Sequence, residues 1–154
     1  MEKPAVTLAE KSDIPELVRL RFAYMKEDFG ELSDEVQDAM GKQLPDFFER
    51  KLGEDCICFI IKDGERVVAA ATMLIVEKPS SPQYLTGRIG DVFSVYTEPD
   101  YRHKGYCTAI MKKLVSYAEE KKLDHVELNA AKDGYPVSRK GGAADKRSRY
   151  TGME

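Results

Sequence analysis

The sequence lacks the features that mark several classes of protein. It has 154 residues, with no tryptophan, two histidines and three cysteines. No apolar run approaches the roughly 18 residues of a membrane-spanning helix, and the first residues have no apolar core of a signal peptide. We therefore expect a cytoplasmic protein with no membrane partner.

The few cysteines and histidines do not form the pattern of a metal site. Cys56 and Cys58 are two residues apart in an apolar run, so on a strand their side chains share a face. An odd number of cysteines without a secretion signal favours free thiols. His103 and His125 are isolated in the sequence and do not complete a set of ligands. We expect cysteines in the core and no bound metal.

The charge of the chain gives no sign of a nucleic-acid partner. The net charge is −3 at pH 7, whereas nucleic-acid-binding domains carry basic patches. Hydrophobic residues make up 42% of the chain and charged residues 33%, a balance that can bury a core. We expect residues 1–154 to form a single domain, since this length suits one.

The pattern of apolar residues predicts a mixture of strands and helices. Strands are predicted at residues 5–8, 56–62, 66–76, 89–97 and 124–130. Asp63 and Gly64, between the second and third of these, predict a tight hairpin. Helices are predicted after Asp13, after Ser33, and from Thr108 to about residue 122.

Single residues predict how the first two helices begin and continue. Asp13 and Glu16 have the spacing of a capping box, so we expect the Asp13 side chain to cap the first helix. Pro45 lies inside the second helical pattern, which predicts a kink or two short helices.

The stretch from residue 88 to residue 119 carries the functional signal. A strand rich in β-branched and aromatic residues stops at Pro99, which cannot donate to a sheet. An amphipathic helix follows from Thr108. The loop between them, residues 102–107, should leave backbone N–H groups free at the start of the helix. Together with the helix dipole and three basic side chains, these groups predict a site for an anion, best suited to a phosphate.

The same stretch resembles the acetyl-CoA-binding motif of the GCN5-related N-acetyltransferases, the GNAT superfamily. That motif is Arg or Gln, two residues, Gly, one residue, and Gly or Ala, between a strand and a long helix. Arg102 and Gly105 match it, and Cys107 stands at its last position. The order of predicted elements follows the same family. The resemblance implies an α/β fold with a mixed, mostly antiparallel sheet, flanking helices and parallel central strands that splay apart.

The resemblance implies acetyl-CoA as the co-substrate and assigns residues to it. The pantetheine arm would pair with the strand before the loop, and the pyrophosphate would lie on N–H groups of the loop. Gly105 lets the backbone approach the ligand because it has no Cβ. The amide of Asn129 would bond the pantetheine across the splay, or Asn129 is simply a polar residue at a sheet edge. The implied cofactor-binding residues are Val95, Tyr96, Thr97, Arg102, His103, Lys104, Gly105, Tyr106, Cys107, Thr108 and Asn129.

The implied transfer needs a base, because only a neutral amine attacks a thioester. Asp91 is the candidate, since on an alternating strand it shares a face with Ile89 and Phe93, and apolar surroundings raise the pKa of a carboxyl group. The alternative is a solvent-facing Asp at the strand end. Glu98, in the turn that follows the strand, is expected to be solvated.

The C-terminal part, from about residue 134 to residue 154, departs from the family pattern. Proteins of this type often carry a Tyr there that protonates the CoA thiolate, and here that position falls on Ser138. A serine hydroxyl is a far poorer acid than a phenol. Tyr135 or Tyr150 could replace the missing acid, or water could supply the proton. Ala143 stands where an aromatic residue is usual.

Two functions of different classes follow from the resemblance. The first is an acetyltransferase that moves the acetyl group of acetyl-CoA to a primary amine of a small molecule or a protein. The second is a catalytically weak module that binds or senses acyl-CoA, which the unusual C-terminal part favours. The acceptor site is expected at residues 29–32, 78–87 and the tail, beside Glu27 and Asp28. The resemblance leaves a homodimer open, and a generic α/β domain that binds another phosphate is a third possibility.

Replacing Gly105 with a bulky residue is expected to abolish acetyl-CoA binding, because a side chain would stand where the phosphate meets the backbone. Binding is measured as the rise in melting temperature when acetyl-CoA is added. An unchanged rise in the variant would contradict the assignment of this loop to the co-substrate.

Overall fold

The computed structural model describes residues 5–128, which form a five-stranded sheet with helices on both faces. In chain order the elements are β1 (Thr7–Leu8), α1 (Ile14–Phe29), α2 (Asp34–Lys51), β2 (Cys56–Asp63), β3 (Arg66–Glu77), β4 (Arg88–Thr97), α3 (Tyr106–Glu120) and β5 (Val126–Leu128). The predicted strands and helices are all present, with ends shifted by a few residues. Residues 129 and 130 of the last predicted strand lie outside the described part of the chain.

The strands lie in the order of the sequence, from β1 to β5. Neighbouring strands are antiparallel except β4 and β5, which are parallel because α3 carries the chain back between them. The hairpin predicted at Asp63 and Gly64 is confirmed, since Asp63 pairs with Arg66 and Gly64 has a φ of 66°. The mixed sheet therefore matches the expected fold class.

The sheet has a separate apolar core on each face. On one face α3 packs residues such as Leu114 against the central strands, and on the other α1 and α2 contribute residues such as Leu20 and Phe48. Cys56 and Cys58 belong to the second core and are free thiols. The predicted place of these two cysteines is therefore confirmed.

The capping box predicted for Asp13 and Glu16 is wrong. The Asp13 carboxylate accepts a hydrogen bond from the N–H of Glu10 at 2.8 Å and pairs with Lys62 at 2.7 Å. Glu16 instead accepts a hydrogen bond from the N–H of Val67 at 2.8 Å. Both side chains are used in tertiary contacts, which the local spacing could not reveal.

The second helix is continuous, so the alternative of two short helices is not found. It runs through Pro45, whose ring nitrogen cannot donate to the carbonyl of Gly41 one turn earlier. The hydroxyl of Ser33 caps its start by accepting a hydrogen bond from Val36 at 3.2 Å. No helix within residues 5–128 combines the length and apolar character needed to cross a bilayer.

Glu98, the residue after β4, is buried, so the expectation that it is solvated is wrong. It is 8% exposed, and its carboxylate accepts hydrogen bonds from Arg19 at 2.7 Å and from Arg66 at 2.9 Å. Arg19 also donates to Glu16 at 2.8 Å and to the carbonyl of Val67 at 2.9 Å. This cluster ties α1 to the start of β3 and to the end of β4.

The charge of the Glu98 cluster depends on pH. Burial on its own would raise the pKa of the Glu98 carboxyl, but hydrogen bonds from Arg66 and Arg19 outweigh burial and hold the pKa below its usual value of 4.5. The contribution of the carboxylate to stability is therefore present above pH 4.5 and is lost as the pH falls further.

The variant Glu98→Gln is expected to lower the free energy of unfolding by about 2 kcal/mol at neutral pH, because two guanidinium groups lose their shared carboxylate. The difference from wild type should shrink as the pH falls below 4.5, as measured by urea denaturation across pH. Asp46→Asn, which removes an exposed ion pair with Arg50, is the matched control and should change little. A Glu98→Gln difference that is the same at every pH would contradict this account.

Candidate active site

The loop between β4 and α3 presents a row of free backbone N–H groups. His103 and Gly105 have left-handed backbones, with φ values of 65° and 83°. Since α3 begins at Tyr106, its first N–H groups have no acceptor inside the helix. Within residues 5–128, the six N–H groups of residues 103–108 donate no hydrogen bond. Such a row at the positive end of a helix dipole is suited to an anion.

The backbone of this loop is under strain at His103. A positive φ at a residue other than glycine is uncommon and costs about 1 kcal/mol. His103 and Gly105 are both left-handed and two residues apart, and left-handed residues within a run of N–H groups are typical of anion-binding nests. Both His103 and Lys104 are exposed, so their side chains are available beside the row.

Gly105 leaves the outer side of the loop open, whereas Cys107 belongs to the core. A Cβ at Gly105 would meet no heavy atom within 4 Å, so the chain itself leaves this space for a ligand. Cys107 packs against the core beneath α3, and burial raises the pKa of its thiol to about 11. Cys107 is therefore a neutral thiol at pH 7 that adds to packing.

The Arg102 side chain is turned back towards the protein. Its Nε donates to the carbonyl of Thr97 at 2.7 Å, and its guanidinium pairs with Glu27 at 2.8 Å. The guanidinium carbon also lies 5.4 Å from the centre of the Tyr96 ring. Arg102 thus holds the end of β4 against the end of α1, and its charge is already matched by Glu27.

Within residues 5–128, the outer edge of β4 is paired over its first half only. The pairing with β5 covers Gly90 to Val92 only, and within residues 5–128 no strand pairs with that edge beyond Val92. Phe93 is an extra residue in the ladder with β3, since Thr72 pairs with Ser94 and Met73 with Val92. Such a bulge bends the strand and increases its twist. Asn129, predicted to face this edge, lies outside the described residues, as do Tyr135 and Ser138.

Asp91 lies beside a second carboxylate on the sheet. It is opposite Leu74 of β3 and Glu127 of β5, and side chains of directly opposed residues share a face. Burial raises the pKa of the Asp91 carboxyl, and the charge of Glu127 raises it further. Asp91 is half-buried, so the alternative of an Asp in open solvent at the strand end does not describe its surroundings.

Glu127 is in turn fixed by a buried histidine. The Nε2 atom of His125 lies 3.1 Å from a Glu127 oxygen, and the His125 side chain is 3% exposed. The ring of Tyr84, from the loop before β4, lies 4.9 Å from the imidazole and covers it. Within residues 5–128, no group of three or more His, Cys, Asp or Glu side chains is arranged to hold a metal ion.

A cleft of about 230 Å³ opens on the same face, between the sheet and the first two helices. It includes Leu74, the neighbour of Asp91 across the β3–β4 ladder. The side chains that line it from α1, α2 and the sheet include Leu17, Leu20, Arg21, Leu44, Phe47, Phe48, Thr72, Phe93, Ser94 and Tyr96. None of the cleft lining comes from residues 29–32 or 78–87, the described loops expected to form the acceptor site; these loops instead expose Phe29 and Leu85.

Sequence analysis did not single out Arg21 or Glu127. A signal for Arg21 was present, because it interrupts the apolar stripe of α1 between Leu17 and Tyr24. A weaker signal for Glu127 was its alternation with His125 on a short strand. The pairing of Glu127 with Asp91 depends on the register between β4 and β5, which the sequence does not show.

Comparison with known proteins gives one family and many similar folds. The model of the acetyltransferase (GNAT) family matches residues 17–139. A predicted acetyltransferase from Clostridium acetobutylicum, solved with acetyl-CoA, is 28% identical over 93% of this chain and 91% of that chain, with a TM-score of 0.81. A search of curated proteins found no match.

Two further solved structures share the fold at lower identity. A GCN5-related N-acetyltransferase from Ralstonia eutropha JMP134 is 19% identical, covers 93% of this chain and 94% of its own, and has a TM-score of 0.81. A ribosomal-protein-alanine N-acetyltransferase from Brucella melitensis biovar Abortus 2308 is 20% identical, with 94% of each chain covered and a TM-score of 0.71.

Arg102→Gln is expected to lower the free energy of unfolding by about 1 kcal/mol, more than Glu27→Gln does, because Arg102 also bonds the Thr97 carbonyl. The double variant should be nearly as stable as Arg102→Gln alone, since Glu27 has then already lost its ion pair and a glutamine can still accept the hydrogen bond of the Tyr96 hydroxyl. Urea denaturation of the four proteins measures this coupling. If the loss of free energy of unfolding in the double variant equals the sum of the losses in the two single variants, the Glu27–Arg102 pair contributes nothing to stability.

Proposed function

The chain belongs to the acetyltransferase (GNAT) family, and we propose that it transfers the acetyl group of acetyl-CoA to a primary amine of a small molecule or a protein. Family membership supports the acetyl transfer. The relative from Clostridium acetobutylicum, solved with acetyl-CoA, supports the co-substrate. The acceptor and the site residues are the parts that this proposal adds.

The row of N–H groups at residues 103–108, which find no acceptor within residues 5–128, is the observation that carries the proposal. These groups suit the pyrophosphate of CoA, because phosphate accepts hydrogen bonds from a helix N-terminus and is attracted by its dipole. The open side of Gly105 leaves room for the close approach. His103, Lys104 and the Thr108 hydroxyl would add charge and one further donor.

The edge of β4 beyond Val92, which no strand within residues 5–128 covers, suits the pantetheine arm. An extended ligand can pair with an unpaired strand edge as another strand would. Val95 and Tyr96 would offer backbone groups there, whereas the Thr97 carbonyl is already bonded to Arg102. This arrangement directs the thioester towards the bulge at Phe93 and the face that carries Asp91 and the cleft. The part of Asn129 in this contact stays a prediction.

Asp91 would act as the base. A primary amine is protonated in water, so Asp91 takes a proton from it, directly or through a water molecule. The neutral nitrogen then bonds to the acetyl carbon as the carbon–sulfur bond breaks, and the thiolate that leaves takes up a proton. A backbone N–H on the free edge of β4 would stabilise the negative charge that develops on the acetyl oxygen. Acetyl-CoA supplies the activated acetyl group.

A catalytically weak acyl-CoA-binding module is the second candidate. The observation that favours it is Ser138, which stands where the related proteins often carry an acidic phenol. A coupled assay of CoA thiol release over a panel of amine classes separates the two. Release that depends on one amine class establishes transfer, whereas stabilisation by acetyl-CoA without release on any amine supports the binding module.

Asp91→Asn is expected to lower kcat by about 100-fold or more, because the amide cannot accept the proton. Burial and then the charge of Glu127 raise the pKa of Asp91 above its usual value of 3.8. As the pH is lowered, the activity of the wild-type protein should therefore begin to fall at a pH above 3.8. Glu127→Gln removes one of these two causes, so the acid limb of kcat/KM should move to lower pH.

The exposed Glu119 on α3 supplies the matched control, and Glu119→Gln should leave the pH profile in place. An acid limb that stays fixed in Glu127→Gln, or an Asp91→Asn variant with wild-type kcat, would remove Asp91 from the mechanism.

A further inference from the structure

A charged side chain interrupts the apolar face of α1. Leu17, Arg21 and Tyr24 are four and three residues apart, so they share a face of the helix. Leu17 is 4% exposed and Tyr24 is 2% exposed, and Arg21 between them is half-buried. Charged residues are rarely placed in such a stripe unless they are paired.

The guanidinium of Arg21 has no anionic partner in the described part of the chain. Residues 5–128 contain six arginines, and Arg21 alone among them donates no hydrogen bond there. The other five donate to a carboxylate or a carbonyl: Arg19, Arg50, Arg66, Arg88 and Arg102. The Arg21 guanidinium carbon instead lies 5.6 Å from the centre of the Phe93 ring.

The half-buried position of the Arg21 guanidinium is unfavourable in free energy when no anion is bound. Burial lowers the pKa of Arg21, and no carboxylate acts against that effect, yet an arginine stays charged at neutral pH. A partly desolvated cation without a counter-ion is unfavourable, and a bound anion restores the lost interaction. A guanidinium also offers two parallel N–H donors, which match the two oxygens of a carboxylate.

Arg21 lines the cleft of about 230 Å³ described above. Apolar side chains of α2, among them Leu44, Phe47 and Phe48, also line it. The volume lies below the roughly 300 Å³ at which pockets for drug-sized ligands begin. The cleft therefore suits a small molecule that has an apolar body and one anionic group.

We propose that this cleft binds the acceptor amine, that the acceptor is an amino acid with an apolar side chain, and that Arg21 binds its carboxylate. The inference rests on the proposed transfer and names its substrate class. Arg21 lies over Phe93, two residues from Asp91 along β4. A ligand that meets Asp91 with its amine and Arg21 with its carboxylate needs the two groups only a few bonds apart, as in an α-amino acid.

Glu27, near the end of α1, gives no reason to prefer a cationic acceptor to an amino acid. Glu27 is already bonded to Arg102 at 2.8 Å and to the hydroxyl of Tyr96 at 3.1 Å. Its charge is therefore committed within the protein, whereas the charge of Arg21 is available to a ligand.

A matched set of amines tests the inference. Leucine, leucinamide and 3-methylbutylamine share an apolar body and a primary amine, and only leucine carries a carboxylate. In the coupled CoA-release assay, kcat/KM for leucine should exceed that for the other two by about 10-fold or more. Methionine and phenylalanine with their amides extend the comparison to other apolar side chains.

Arg21→Gln should raise the KM for the amino acid by about 10-fold or more and remove the preference over the amide, while the KM for acetyl-CoA is unchanged. Arg21→Lys should restore part of the preference, since it keeps the charge but not the paired donors. Arg50→Gln, an exposed arginine of α2, is the control and should behave as wild type. Melting temperatures of all variants show whether they are folded.

The outcomes separate this inference from the proposed transfer. Equal or better use of leucinamide, or a preference that survives in Arg21→Gln, overturns the inference while transfer stands. A preference for O-phosphoethanolamine over leucine also overturns it. If no amine releases CoA, the melting temperature is measured with CoA present, before and after leucine is added. A rise that is lost in Arg21→Gln supports the inference although transfer fails. No rise on adding leucine overturns it.

Discussion

The shared carboxylate of Glu98 is the interaction on which the geometry of this protein depends. β4 is paired along its length with β3, and within residues 5–128 β5 pairs with its other edge from Gly90 to Val92. The end of β4 leads into the loop that carries the N–H row. Arg19 and Arg66 converge on Glu98 at that end, and Arg102 bonds the carbonyl of Thr97. Side-chain contacts thus fix the end of β4 and the start of the segment that follows it.

In the proposed reaction, the two substrates bind to two different surfaces beside β4. The N–H row lies between the end of β4 and the first turn of α3. Asp91 and the cleft lie on the face of the sheet that α1 and α2 cover. Between them, the bulge at Phe93 turns the strand where the two surfaces meet. In the proposed reaction, recognition of the co-substrate would therefore rely on backbone groups, and recognition of the acceptor would rely on side chains such as Arg21.

The sequence was informative where structure is local. Pro99, Gly105 and the apolar spacing after Thr108 predicted the loop and α3, and the family and fold class inferred from them are confirmed. It was uninformative where a side chain finds a distant partner. Glu98 was expected in solvent because its neighbours suggest a turn, yet its partner Arg19 is 79 positions away. The roles of single site residues stay predictions, and the tail with Ser138 lies outside the described residues.

The course of α2 through Pro45 has a consequence for the shape of the cleft. The ring removes one backbone hydrogen bond, to the carbonyl of Gly41, and the residues buried in this helix are Leu44 and Phe48, both in its second half. A helix that lacks a bond at its centre opens locally at lower free energy than an intact one. The side of the cleft formed by α2 is therefore expected to deform more easily than the side formed by the strands, so the proposed acceptor site could adapt to apolar side chains of several lengths.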